Sequence, residues 1–370
     1  MVLKATERPW QDTPSVYGPI ASFTQWLANV LGGQNMHDIV FWLQMFALIP
    51  FVLTCAIAVK LAHGEPATQA RAVFLTILNP LLIWAVTAQA HNEALGVVFA
   101  IFGVAMLRKH PVLAGVGIGL AGCVKISLVF YGLAMIWAYR RDWKRLGLLA
   151  AGTAIPLGLL YGLRPDTLLA ATRNTGYVSS GSWASWVYWP MAWSIGEPAA
   201  KVIVNVISLA GMVGIAWMLS QVLPRSAVAG LAPLADATRD PLTIAMRTAL
   251  ALCTAWLVTS PYTLSWYDLI SWVPLAVLVA NPLDTVLMVR GAWLSMAFVT
   301  GRVVQFSPQM LTASWVVRDL ICPLVQIGVL AYIVWWWWSE RRNSAQARRV
   351  HKRVAAKRAR RASPTVAEPS

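Results

Sequence analysis

His91, Asn92 and Glu93 stand side by side between two apolar runs, residues 75–86 and 94–102. An imidazole, an amide and a carboxylate in such a setting cost free energy unless they pair or meet water. An ionisable residue there marks a functional site by default. A short polar turn joining two spans at the membrane surface accounts for the same residues without chemistry, and both readings stand at this level. Lys125 interrupts the next apolar stretch in the same way, within Gly122-Cys123-Val124-Lys125-Ile126. Glu93, with His91 beside it, suits hydrogen bonding to hydroxyls or taking a proton. Lys125, Arg302 and Arg318 suit a phosphate or pyrophosphate, the arginine as a bidentate fork and the lysine as a point charge. Tyr17, Trp266 and Tyr267 offer faces for sugar rings, Asn92 an amide, and Asp12 and Asp268 further carboxylates. Singly, each has a plainer reading as a snorkelling lysine, a helix-end charge or an aromatic belt. The chain has no glycine-rich phosphate loop, zinc-ligand spacing or serine-hydrolase elbow. No cofactor or metal site is read from it, and it does not decide whether a divalent metal is used.

The elements that must position these residues are membrane helices. Hydrophobic residues make up 58% of the 370 and charged residues 12%, and the mean hydropathy is +0.59. Apolar runs recur from Ile39 to Trp338, continuous rather than alternating, which favours helices over a β-barrel. The expected fold is an all-α polytopic bundle of about eleven membrane segments. Their approximate bounds are 39–60, 72–88, 93–107, 111–124, 127–138, 145–162, 199–220, 246–260, 266–281, 285–303 and 314–338. Several are too short to cross a bilayer upright, and short helices are tolerated where they line a cavity. The His91 and Lys125 turns are therefore expected to border one polar cavity.

The net charge of +15 is concentrated in a tail: residues 341–361 hold ten Lys and Arg and no acid. Following Trp335-Trp336-Trp337-Trp338, this reads as an interfacial belt and a cytoplasmic anchor near anionic lipid, not as a nucleic-acid site. Residues 339–370 are expected to lack fixed structure. The basic loops 108–110 and 140–145 fall on the same cytoplasmic side. Alternation then puts 88–93, 122–127, 163–198, 260–266 and 303–314 outside, together with 1–38. Within 1–38, Phe23, Trp26, Leu27, Val30 and Leu31 recur at helical spacing. They predict an amphipathic interfacial helix, although a core-facing stripe would show the same spacing. Residues 163–198 form a long external loop rich in aromatic and small residues. Cys55, Cys123, Cys253 and Cys322 are scattered singly in apolar stretches and read as small buried hydrophobes.

Four stretches resemble the actinobacterial-type polyprenol-phosphate-mannose-dependent α-(1→6)-mannosyltransferases of the GT-C superfamily. They are Trp10-Gln11-Asp12-Thr13-Pro14-Ser15-Val16-Tyr17-Gly18-Pro19; Asn79-Pro80-Leu81 with Ala90-His91-Asn92-Glu93-Ala94-Leu95; residues 114–125 ending at Lys125; and Ser265-Trp266-Tyr267-Asp268. Glu93 stands where that family usually has Asp. The resemblance implies a polyprenyl phosphate sugar donor, a glycan or lipoglycan acceptor, and transfer at the outer face of the cell membrane. It also implies a catalytic acid in the first external loop, just after a first helix. That segment would precede Met1, so the chain is expected to begin inside the loop, as a fragment that could be inactive alone. Asp12 is the nearest acid present. On this reading Glu93, His91 and Asp12 serve catalysis, while Lys125, Arg302 and Arg318 hold the donor phosphate. Asn92, Tyr17, Trp266, Tyr267 and Asp268 contact substrate. The alternatives are a GT-C enzyme for another sugar, or a lipid or small-molecule transporter, which calls for a midplane site and internal repeats. No clear repeat is visible.

Overall fold

The computed structural model describes residues 16–62, 66–168, 177–225, 228, 239–298 and 306–362, with side chains described as far as residue 343. Among the described residues there is no strand; the molecule is an all-α polytopic membrane bundle. In chain order the helices are α1 (Pro19–Gly32), α2 (Met36–Leu61), α3 (Pro66–Leu75) and α4 (Pro80–Leu82). A π-helical turn, Ile83–Ala88, continues α4. Then come α5 (Glu93–Met106), α6 (Pro111–Gly122), a 3-10 turn Ile126–Leu128 running into α7 (Val129–Tyr139), and α8 (Trp143–Leu163). The remainder are α9 (Ser185–Ile195), α10 (Glu197–Val222), α11 (Pro241–Thr259), α12 (Leu269–Val277), α13 (Leu283–Ala297), α14 (Pro308–Trp315) and α15 (Cys322–Ala362).

Among the described residues, six helical stretches are long and apolar enough to cross a membrane: α2, residues 66–88, α8, α10, α11 and residues 308–343. Their starts are written in the sequence. Asn35, Asp142 and Asp240 each accept a backbone N–H of the first turn (His37, Arg145 and Thr243, at 3.0, 3.0 and 2.7 Å). Such caps satisfy donors that a helix leaves orphaned. The span expected at 72–88 begins earlier, at Pro66, and breaks at Asn79-Pro80. Proline cannot donate to the preceding turn, and Asn79 restarts the helix by accepting Leu81 N–H at 3.1 Å. Within the expected loop 163–198, Ser185–Ile195 folds as α9, and Tyr188 with Ala184 packs against Ala200 and Val204 of α10. α15 continues to Ala362, into the basic stretch for which composition predicts no fixed structure.

α12 is buried at every position and α11 at most of them, so these two form the centre. α6 and α8 pack closely because Gly115 and Gly152 face each other's backbone; a β-carbon on either would meet the Leu149 or Val112 carbonyl. α1 turns its small residues inward and leaves Phe23, Trp26, Val30 and Leu31 outward, Trp26 57% exposed. The stripe on α1 therefore does not face the core.

Two ends of the bundle are distinct. At one, Arg108 pairs with Asp240 at 2.8 Å, joining the α5–α6 turn to the start of α11. At the other, residues 179–183 lie on the segment after α11: Ser179 N–H donates to the Pro261 carbonyl at 3.1 Å and Trp183 Nε1 to that of Thr259 at 3.2 Å. This second end carries the His91 and Lys125 turns. α5 and α6 have 14 and 12 residues, about 21 and 18 Å at 1.5 Å per residue, against roughly 30 Å of hydrocarbon. Helices this short do not reach across a full hydrocarbon layer.

Candidate active site

Glu93 opens α5 and is buried, and its carboxylate pairs with the Lys125 ammonium. Lys125 sits in an extended residue between α6 and the 3-10 turn, so its side chain leaves the helix axis toward α5. Its Nζ lies 3.9 Å from the Tyr267 ring centroid and 5.8 Å from that of Tyr17. An ammonium placed over aromatic faces is held by the ring quadrupole. Tyr17 is brought there by backbone pairing: Gly18 N–H donates to the Val124 carbonyl at 2.9 Å and Ile20 N–H to that of Cys123 at 3.0 Å. A β-carbon at position 18 would collide with the Cys123 carbonyl, so this approach requires glycine.

His91 lies flat on Trp266, with ring centroids 3.6 Å apart and planes 14° from parallel. The turn that presents it is irregular. The π-helical Ile83–Ala88 widens the last turn, Ala90 adopts φ +55°, and His91 N–H reaches back to the Val86 carbonyl at 2.9 Å. A left-handed alanine is strained, and π-turns collect at functional positions. Half-buried Asn92 precedes Glu93 without capping α5 through its side chain. Tyr17, His91, Glu93, Lys125, Trp266 and Tyr267 thus form one polar and aromatic cluster. Its open valence is Glu93 Oε2, which is buried with no hydrogen-bond partner. A buried carboxylate oxygen without a donor is costly and calls for one from a ligand or water.

Burial lowers the His91 pKa from its ordinary value to about 4, with Glu93 opposing and Lys125 reinforcing the shift. Burial raises the Tyr17 phenol to about 12. At neutral pH the cluster therefore holds a neutral imidazole and a neutral phenol beside the ion pair. Because the His91 pKa is depressed by folding, the unfolded chain binds a proton that the folded chain refuses between about pH 6.5 and 4. Stability contributed at neutral pH is lost as pH falls through that window. In detergent, the thermal midpoint of the parent is expected to drop more steeply between about pH 7 and 4.5 than that of His91→Gln. Parallel pH profiles would remove His91 from the buried cluster.

The other residues singled out from sequence fall elsewhere. Asp268 is buried and pairs with Arg290, which is wholly buried. Arg290 also donates to Thr263 Oγ1, to the Leu257 carbonyl at 3.0 Å and to Gln326 Oε1 at 3.3 Å. This network fixes the 3-10 turn Ser265–Asp268 and so aims Trp266 and Tyr267. Arg318 is engaged by its neighbour Asp319 at 2.8 Å, in the π-helical Val316–Ile321. Asp12 and Arg302 lie outside the described residues. Among the described residues no group of three or more His, Cys, Asp or Glu could hold a metal ion. Arg290 escaped the reading of the sequence, yet the signal was present: an arginine within the apolar stretch 285–303.

Residues 1–141 match the N-terminal domain of the alpha-(1->6)-mannopyranosyltransferase family. Over this stretch the chain is similar to that family. The match takes in three of the segments that meet at the site, those carrying Tyr17, Glu93 and Lys125. An alpha-(1->6)-mannopyranosyltransferase of Mycobacterium tuberculosis is 33% identical over 104 residues, which make up 26% of this chain and 18% of that protein. The chain thus spans less than one fifth of that relative's length in the region they share. No solved structure matches the chain.

Proposed function

We propose that the chain carries out lipid-linked mannosyl transfer, from a polyprenyl phosphate mannose to a hydroxyl of a mannan or lipoglycan acceptor, at the outer face of the cytoplasmic membrane. The observation that carries this reading is the meeting of Glu93, Lys125 and Tyr17, all within the mannosyltransferase-like residues 1–141, under an aromatic platform of His91 and Trp266. Lys125 faces the donor phosphate. Glu93, through its unpartnered oxygen, and His91, as a neutral imidazole, orient sugar hydroxyls. The acceptor hydroxyl gives its proton to a carboxylate, for which Asp12 is the candidate in this chain. Its oxygen then attacks the anomeric carbon, and the bond from that carbon to the phosphate oxygen breaks. The departing polyprenyl phosphate needs charge stabilisation rather than a proton, which a preorganised cation supplies. Arg302 and Arg318 are the further cations proposed for that phosphate, and Asn92, Trp266 and Tyr267 the further substrate contacts.

The test is incorporation of radiolabelled mannose by membranes containing the chain. Label is expected to enter glycan from polyprenyl phosphate mannose and not from a nucleotide mannose when lipid-donor synthesis is blocked. Incorporation from the nucleotide sugar alone would overturn the proposed donor.

A further inference from the structure

The end of the bundle opposite Lys125 holds a second arrangement that the transfer site does not use. α7 runs from the Lys125 turn to Tyr139, so Arg140 lies fifteen residues, roughly 20 Å, away along the chain. There Arg140, Arg225 and Arg247 line a cavity of about 270 Å³ with Thr243 and Thr248. None of its described lining residues is acidic. The nearby Asp240 is engaged by Arg108 at 2.8 Å and by Thr243. Arg247 projects from the membrane-spanning α11 and lines the cavity, and its Nε and Nη2 donate to the carbonyls of Leu223 and Ser220.

A second cavity of about 440 Å³ shares Trp137, Arg247 and Thr248 with the first. Its walls are apolar, with Leu133, Ile136, Trp137 and Trp217 exposed on the outside of the bundle. Trp217 contacts Trp337, which donates to Gln221 Oε1 at 3.0 Å and lies under Arg341. Tryptophans gathered at one height with arginines mark the level of a lipid headgroup layer. A cationic head cavity thus opens into an apolar groove that faces the hydrocarbon.

We infer that this paired cavity binds one anionic phospholipid of the adjacent leaflet, its phosphate on Arg140, Arg225 and Arg247 and an acyl chain along Leu133, Ile136 and Trp217. Arginines with no acidic partner among the described residues match a phosphate diester in fork geometry and charge, although Arg140 also donates to the Trp137 carbonyl at 2.7 Å, and a soluble anion would leave the groove unfilled. The inference does not depend on the proposed sugar donor.

Native mass spectrometry of the full chain in detergent, titrated with phosphatidylglycerol or phosphatidylcholine, tests it. One phosphatidylglycerol is expected to remain bound in preference to phosphatidylcholine. Arg140→Gln with Arg225→Gln should lower its occupancy about tenfold or more, since each basic residue near anionic lipid contributes on the order of 1 kcal/mol. Lys352→Gln with Arg353→Gln, in the basic tail, should leave it unchanged. If the double variant at the cavity unfolds, Arg225→Gln alone, at an exposed side chain, keeps the comparison. Equal retention of the two lipids, an effect of the tail variant equal to that of the cavity variant, or displacement by millimolar inorganic phosphate would overturn the lipid assignment.

Discussion

Lys125→Ala is expected to lower the proposed mannosyl transfer by about two to three orders of magnitude, the range for removing one preorganised group that stabilises developing charge. The substitution has two consequences that must be separated. It takes away the cation proposed for the leaving phosphate, and it leaves Glu93 a buried carboxylate without its counter-ion. Breaking a buried pair from one side costs about 3–5 kcal/mol. Lys125→Met combined with Glu93→Gln removes both charges while keeping side-chain volume, so it should recover most of the stability and none of the transfer. Initial rates set beside the monodisperse fraction after mild heating give both readouts. A folded single variant working at the parental rate would remove Lys125 from the mechanism.

Arg290→Met is expected to be the most destabilising single change in the described part of the chain. Arg290 lies between the centre of the bundle and the last span and gives hydrogen bonds to Asp268, Thr263, Leu257 and Gln326. Its removal strands Asp268, one of whose oxygens already has no partner, at a cost of about 3–5 kcal/mol. Adding Asp268→Asn should restore part of the loss, because the amide needs no counter-ion. Arg290→Lys should restore little, since one ammonium cannot reproduce a planar fork across four acceptors. Thermal unfolding in detergent measures the order: parent, then the double variant, then Arg290→Met. An Arg290→Met midpoint at the parental value would mean that the network carries no stability.

The fold was legible because membrane helices announce themselves through run length, and because Asn35, Asp142, Asp240 and the prolines punctuate them. The clustering at the candidate site was legible for a related reason. His91, Glu93 and Lys125 are polar groups where apolar ones are the rule, and two short helices must bring their turns to the same end. What sequence could not give was pairing at a distance. Nothing local in Glu93 distinguishes a carboxylate waiting for a hydroxyl from one clasped by a lysine 32 residues on. Asp268 looked like a substrate contact because it adjoins Trp266-Tyr267, whereas its carboxylate is held by an arginine 22 residues later. α9 was hidden by Pro190 and a run of aromatics; tertiary packing on α10 outweighs their weak helical preference.

On the proposed function, the sugar-phosphate end of a polyprenyl phosphate mannose lies between the His91 turn and the Lys125 turn. Photo-crosslinking tests it most directly, because it reads occupancy without requiring turnover. A donor analogue with a photoreactive group beside its phosphate is irradiated with the chain in membranes, and the labelled peptides are mapped by mass spectrometry. Label is expected on the peptides containing His91–Glu93, Lys125 and Trp266–Tyr267, competed by unlabelled donor and lost in Lys125→Met with Glu93→Gln. Competable label confined to the Arg140, Arg225 and Arg247 end of the bundle, and unchanged in that variant, would contradict it.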